Sequence, residues 1–117
     1  MSITTTLSTH VLDTSLGAPA ENIAVWLERV DEQGTTTEIA RGVTNADGRV
    51  ATLAPDNGGL GGGNYRLCFD VAGYFAESRR TSFYNEICIN FAVADEPQHY
   101  HVPLLLSPYG YSTYRGT

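Results

Sequence analysis

Turn-forming residues recur along this chain at short, fairly even intervals, and that spacing leaves room for little besides β-strands. The turn segments are Asp13-Thr14-Ser15-Leu16-Gly17, Asp31-Glu32-Gln33-Gly34, Asn45-Ala46-Asp47-Gly48, Pro55 to Asn64, Asp95-Glu96-Pro97 and Ser107-Pro108-Tyr109-Gly110. Asp47-Gly48 suits a tight hairpin, because glycine takes positive φ without steric cost. Between the turns lie runs rich in Val, Ile, Leu, Thr and Tyr. Ile87, Ile89, Phe91 and Val93 alternate with Cys88, Asn90 and Ala92, the pattern of a half-buried strand. Strands are expected over 5–12, 22–30, 35–44, 48–54, 64–72, 86–94, 98–106 and 109–115, with one short helix around Phe75 to Ser82, after Gly73. Eight short strands at this spacing predict an all-β, two-sheet sandwich. A chain of 117 residues holds one core, so 1–117 is read as a single domain.

Three stretches do not fit a plain sandwich. Asn57 to Asn64 is glycine-rich, but no Lys-Ser/Thr pair or helix follows it to hold a phosphate. It reads as a flexible loop between strands. Pro103 interrupts a strand-like run and predicts an edge or a bulge there. The final stretch, Tyr109 to Thr117, is aromatic, β-prone and carries Arg115. Chain ends ordinarily fray into small polar residues; this one is expected to be docked.

Composition removes several function classes. All seven basic residues are arginine, which excludes Schiff-base chemistry and lysine general bases, and the net charge is −6. An acidic surface argues against nucleic acid or an anionic membrane as partner, so a small molecule met by one or two placed arginines is the better expectation. No stretch approaches the ~20 apolar residues of a membrane span. Met1 to Leu7 lacks the features of a signal peptide, and a soluble cytoplasmic protein is expected. Cys68 and Cys88 are then expected to be reduced. Strand alternation turns both away from the main core, opposite Leu67, Phe69, Ile87 and Ile89.

Only three histidines are present, and His99 and His101 share one face of a strand. Clustered imidazoles repel when protonated, so their pairing calls for a reason. One reason is a zinc site built from His99, His101 and His10, with an open position to activate water. The other is metal-free acid–base catalysis by an imidazole that titrates near neutrality. No Gly-x-Ser-x-Gly elbow is present, and Ser8 is the only serine with a histidine close in sequence. Arg49 follows the Asp47-Gly48 turn and Arg115 precedes Gly116; a planar guanidinium suits a flat, carbonyl-rich or anionic ligand.

The segments Leu7-Ser8-Thr9-His10-Val11-Leu12-Asp13, Thr44-Asn45-Ala46-Asp47-Gly48-Arg49 and His99 to Thr117 together resemble the 5-hydroxyisourate hydrolases, the transthyretin-related proteins. The resemblance runs the length of the chain, and its C-terminal part is the most specific. It implies a transthyretin-like sandwich of eight strands with one short helix, assembled as a homotetramer with active sites between subunits. It also implies hydrolysis of a ring amide of 5-hydroxyisourate, the unstable product of urate oxidase, with neither metal nor cofactor. The implied catalytic residues are His10, Arg49 and His101, and the implied substrate-binding residues are Tyr114, Arg115, Gly116 and Thr117. In that picture His101, with His10 assisting or the reverse, activates water, while Arg49 steadies the oxyanion. The family's ending is usually Tyr-Arg-Gly-Ser. Thr117 keeps the hydroxyl and adds a methyl, and the 57–63 loop is longer than the family's. The fold alone leaves a transthyretin-like carrier, the zinc hydrolase and a plain adhesion module as rivals.

Overall fold

A computed structural model describes residues 4–55 and 59–117. Its strands are β1 (Thr6–Asp13), β2 (Ala18–Pro19), β3 (Ala24–Val30), β4 (Thr36–Val43), β5 (Arg49–Val50), β6 (Gly63–Asp70), β7 (Glu86–Val93), β8 (His99–Ser107) and β9 (Gly110–Thr113), with one helix, α1 (Val71–Glu77). They form two sheets. One runs β2-β1-β8-β9, with β5 also pairing with β1; the other runs β4-β3-β6-β7. The expected two-sheet, all-β sandwich is the observed architecture.

The pairing that organises the first sheet is β1 with β8. It is parallel and in continuous register, from Thr6 opposite His99 to Asp13 opposite Leu106. Hairpins can make only antiparallel neighbours, so a parallel pair needs a long crossover. Here nearly the whole chain is that crossover, and the two ends of the sequence become neighbours. Alternation then sorts the side chains. Leu7 and Val11 of β1, with Tyr100, Val102, Leu104 and Leu106 of β8, join Val25, Leu27, Tyr65, Leu67, Phe69 and Ile87 of the other sheet in the core. Polar residues on the inner face are satisfied locally: buried Thr9 donates its hydroxyl to the Val102 carbonyl at 2.6 Å.

The Asn45 to Arg49 turn delivers β5 onto β1. The Gly48 amide donates to the Asn45 carbonyl at 2.8 Å, and the Asn45 side chain accepts from the Arg49 amide at 3.0 Å. Gly48 has φ of +76°, and a Cβ there would sit 2.4 Å from the Val11 carbonyl oxygen. Only glycine allows this approach. The expected strand over 48–54 is therefore shorter than predicted. Arg49 and Val50 pair with β1, after which the chain leaves the ladder and makes single contacts such as the Leu53 amide to the Leu7 carbonyl at 2.9 Å.

Other differences have equally local causes. The helix begins at Val71, four residues before the expected start, because the Asp70 carboxylate caps it by accepting from the Gly73 amide at 3.1 Å. Gly73 lies inside it, and Arg79, at φ +58°, turns the chain away after it. Pro103 is neither at an edge nor in a bulge. It lies within β8, in the gap between the Leu104–Thr113 pair and the His101–Gly116 bridge, where pairing with the returning chain lapses, and its carbonyl accepts from the Thr113 hydroxyl at 2.7 Å. The two-residue β2 was not expected. Cys68 and Cys88 are register partners on the outer face of the second sheet and are not bridged; Cys68 is nonetheless buried, and that burial raises its thiol pKa. Asn57 and Gly58 of the glycine-rich stretch lie outside the described residues. Leu60, just after them, packs into the core and bridges Thr5. Among the described residues no helix is long and apolar enough to cross a membrane.

Candidate active site

Period-two alternation puts Thr6, Ser8, His10 and Leu12 of β1 on the outer face of the first sheet, with His99, His101, Pro103 and Leu105 of β8 beside them. His10 is the register partner of Arg49 on one side and of Pro103 on the other. Thus β5, β1 and β8 present Arg49, His10 and His101 on one surface. These three groups lie far apart in the sequence, and the β5–β1 and β1–β8 pairings together unite them.

His101 is half-buried. Its pKa lies below the usual imidazole value: burial is the main cause, followed by the positive charge of Arg49 and then His10 and His99. At neutral pH the ring is accordingly neutral and able to accept a proton. Its Nδ1 lies 2.8 Å from the Ser8 hydroxyl. That hydroxyl also lies 2.9 Å from His99 Nε2, and His99 Nδ1 lies 2.6 Å from the Thr6 hydroxyl. Both nitrogens of exposed His99 thus face strand hydroxyls. Among the described residues no three His, Cys, Asp or Glu side chains are grouped as a metal site would require. The His10, His99 and His101 zinc reading lacks its ligand cluster.

The terminal segment is docked, as expected. Past β9 it returns alongside β8, where the Gly116 amide donates to the His101 carbonyl at 2.8 Å in an isolated bridge. The approach is close: a Cβ on Gly116 would stand 2.6 Å from Cδ2 of the His101 ring. Tyr114 and Thr117 are exposed on either side of this contact. Arg115 does not join the histidines. Its guanidinium donates to the Gln98 side chain at 2.6 Å and lies 4.4 Å from the centre of the Tyr100 ring, on the core-facing side of β8. A cavity of about 210 Å³, lined by Phe91, Tyr100, Val102, Tyr114 and Arg115 among others, opens on that same side.

Inspection of the sequence missed Thr6, Ser8 and Gln98 as neighbours of these groups. Ser8 stood out there only for its proximity to His10. Its true partners are two imidazoles more than ninety residues away. The alternating Thr6, Ser8, His10 pattern carried the face but not the strand that would lie beside it.

Known proteins are similar to this chain along nearly its whole length. A model of the HIUase/Transthyretin family matches residues 7–116. A 5-hydroxyisourate hydrolase from Salmonella dublin is 42% identical over 111 residues, spanning 95% of this chain and 80% of its own. Among solved structures, Klebsiella pneumoniae 5-hydroxyisourate hydrolase superposes with a TM-score of 0.81 at 43% identity, covering 96% of this chain and 99% of that one. Sea bream transthyretin in complex with thyroxine superposes at 0.87 with 32% identity, over 95% and 94% of the two chains. Fold similarity by itself therefore does not separate a hydrolase from a hormone binder. The family-model match and the length-spanning identity nonetheless agree: this chain belongs to the HIUase/transthyretin family.

Proposed function

We infer that this chain hydrolyses 5-hydroxyisourate, opening a ring amide to yield 2-oxo-4-hydroxy-4-carboxy-5-ureidoimidazoline. The observation that carries this reading is the shared surface of His10, Arg49 and a neutral His101. A hormone-type carrier has no use for such a cluster, and the sequence identity to hydrolases points the same way.

In this reading His101 Nε2 takes a proton from a bound water, and the water oxygen bonds to a ring carbonyl carbon. Negative charge develops on the carbonyl oxygen, where the Arg49 guanidinium stabilises it. Collapse of the tetrahedral intermediate breaks the ring C–N bond. The imidazolium returns its proton to the leaving nitrogen, and the product leaves as a carboxylate. His10, opposite Arg49, orients substrate or shares the proton work. Gly116 presses the terminal segment against His101, and Tyr114 and Thr117 supply the remaining substrate contacts. Arg115, which faces the other side of β8 within one chain, acts once a neighbouring copy completes the cleft.

The open outer face supports a tetramer in which paired copies cover this surface and exclude water, strengthening each electrostatic contact. We assign the enzyme to the cytoplasm, in keeping with adjacent, unbridged Cys68 and Cys88. The test is direct. 5-Hydroxyisourate generated fresh with urate oxidase is followed by its ultraviolet absorbance with and without the protein. A decay accelerated in proportion to protein concentration is expected, and decay at the spontaneous rate refutes the assignment.

A further inference from the structure

His101 meets water through Nε2, which leaves its other nitrogen free for a second role. That nitrogen begins a row of hydrogen-bonding groups: His101 Nδ1 to Ser8 Oγ at 2.8 Å, Ser8 Oγ to His99 Nε2 at 2.9 Å, and His99 Nδ1 to Thr6 Oγ1 at 2.6 Å. The row runs across the β1–β8 register from a half-buried imidazole to an exposed one. We propose that His99, acting through the Ser8 hydroxyl, is a positioning residue that selects the basic tautomer of His101 and carries its proton charge away from Arg49. This rests on the reading of His101 as general base.

A row that relays protons through Ser8 can run in only two directions. A serine hydroxyl has one proton to give, so Ser8 can donate to one imidazole while accepting from the other. In the first direction His101 Nδ1–H donates to Ser8, Ser8 donates to His99 Nε2, and His99 Nδ1–H donates to Thr6. His101 Nε2 is then bare, as a general base must be. In the second direction Thr6 donates to His99 and Ser8 donates to His101 Nδ1, which leaves the proton on Nε2 and the base blocked.

When Nε2 takes a proton from water, the positive charge appears beside Arg49 and His10, where it is disfavoured. From β1 His10, from β5 Arg49 and from β8 His99 are the charged or titratable groups that bear on this ring. Two proton shifts relieve the repulsion: Nδ1–H passes to Ser8 Oγ, and the Ser8 proton passes to His99 Nε2. His101 ends neutral with its proton on Nε2, and the charge resides on His99, farther along β8 from the rung that holds Arg49 and His10. Donation of that Nε2 proton to the leaving nitrogen, with return of the other two, restores the starting state. No proton is gained or lost over the cycle.

The test reads tautomers separately from turnover. Long-range 1H–15N spectra of the histidine-labelled protein at neutral pH, without substrate, are expected to show His101 predominantly protonated at Nδ1. In Ser8→Ala that preference should be lost, and Ser8→Thr, which keeps the hydroxyl, should restore it. In kinetics, Ser8→Ala and His99→Ala should each lower kcat about tenfold with KM within about twofold, since substrate contacts are untouched. Ser8→Thr should recover most of the rate. A wild-type spectrum with the proton on Nε2, or a Ser8→Ala variant with unchanged tautomer and kcat, overturns the relay. Wild-type protein that fails to hasten substrate decay overturns the assigned reaction instead. The spectrum of the unsubstituted protein decides the tautomer even if a variant folds poorly.

Discussion

The two faces of the β1–β8 pair are made from the same two strands, yet they obey different rules. On the inner face Leu7, Val11, Leu104 and Leu106 are fully buried, and even the charged residue there is neutralised. Asp13 is completely inaccessible, and its carboxylate accepts from Arg80 and the Tyr74 hydroxyl at 2.7 Å each and from the Ser15 hydroxyl at 2.6 Å. Burial alone would raise its pKa, but the hydrogen bonds from Arg80, Ser15 and Tyr74 outweigh that and hold it at about 2. On the outer face Ser8 is hydrogen-bonded to His99 and His101, and among the described residues no carboxylate joins them. One face uses charge to complete a core, and the other keeps polar groups ready to react. Substitutions should therefore separate stability from activity along a single strand pair.

The largest expected effect is on the outer face. His101→Ala should lower turnover by about 100- to 10,000-fold, the usual contribution of a positioned acid–base group. The melting temperature should barely move, because the ring is only half-buried. Near-normal turnover in that variant would remove His101 from the reaction. The mirror image is Arg80→Ala, which leaves Asp13 buried and unpaired and should cost about 3–5 kcal/mol in denaturant unfolding. Activity per folded molecule should persist, and a loss of activity without a loss of stability would break the division between the faces.

Acid provides an intermediate case. The Asp13 carboxylate is held below its ordinary value, so its contribution is complete above the unfolded pKa and disappears as pH falls through the folded one. Roughly 2 kcal/mol of stability should be lost between about pH 5 and pH 2, and Asp13→Asn should flatten that slope in unfolding measurements. The outer face responds to acid at higher pH. His101 works as the neutral ring, so kcat/KM should fall as pH drops through its lowered pKa while the fold remains intact. An activity that holds level until the protein unfolds would argue against a histidine base. The smallest effect concerns Gly116. A Cβ there meets the His101 ring, and the terminal segment must shift to accept it. Gly116→Ala should reduce turnover by about tenfold through misplacement of the ring and segment, with unfolding midpoints unchanged.

Much of this molecule is legible from the residues in order. Alternation in Ile87 to Val93 and the regular turns suffice for the sandwich, because a strand's two faces are written directly into its period of two. Two histidines two apart likewise announce a shared face, and Arg49 after the tight Asp47-Gly48 turn reads as a well-held guanidinium. What the sequence does not announce is which strands lie side by side. Ser8 reads as a neighbour of His10, whereas the parallel register sets it between His99 and His101. The helix start is hidden for a similar reason: Asp70 belongs by pattern to a strand, and only its capping of the Gly73 amide reveals that it closes one element and opens another. Pro103 follows the same logic, since its cost depends on where β9 stops.

Residue chemistry is readable position by position: three imidazoles, seven arginines and no lysine, an aromatic ending, and strands with one apolar and one polar face. These are local properties, set by side-chain type and backbone period. Tertiary structure decided which of those groups meet. The β1–β8 pairing brings together residues separated by about ninety positions, and with the β5–β1 pairing it aims His10, Arg49 and His101 at one surface. It also sends Arg115 to the other side of β8, onto Tyr100. Proximity across a parallel pair depends on register between distant strands, and no short-range pattern encodes that register.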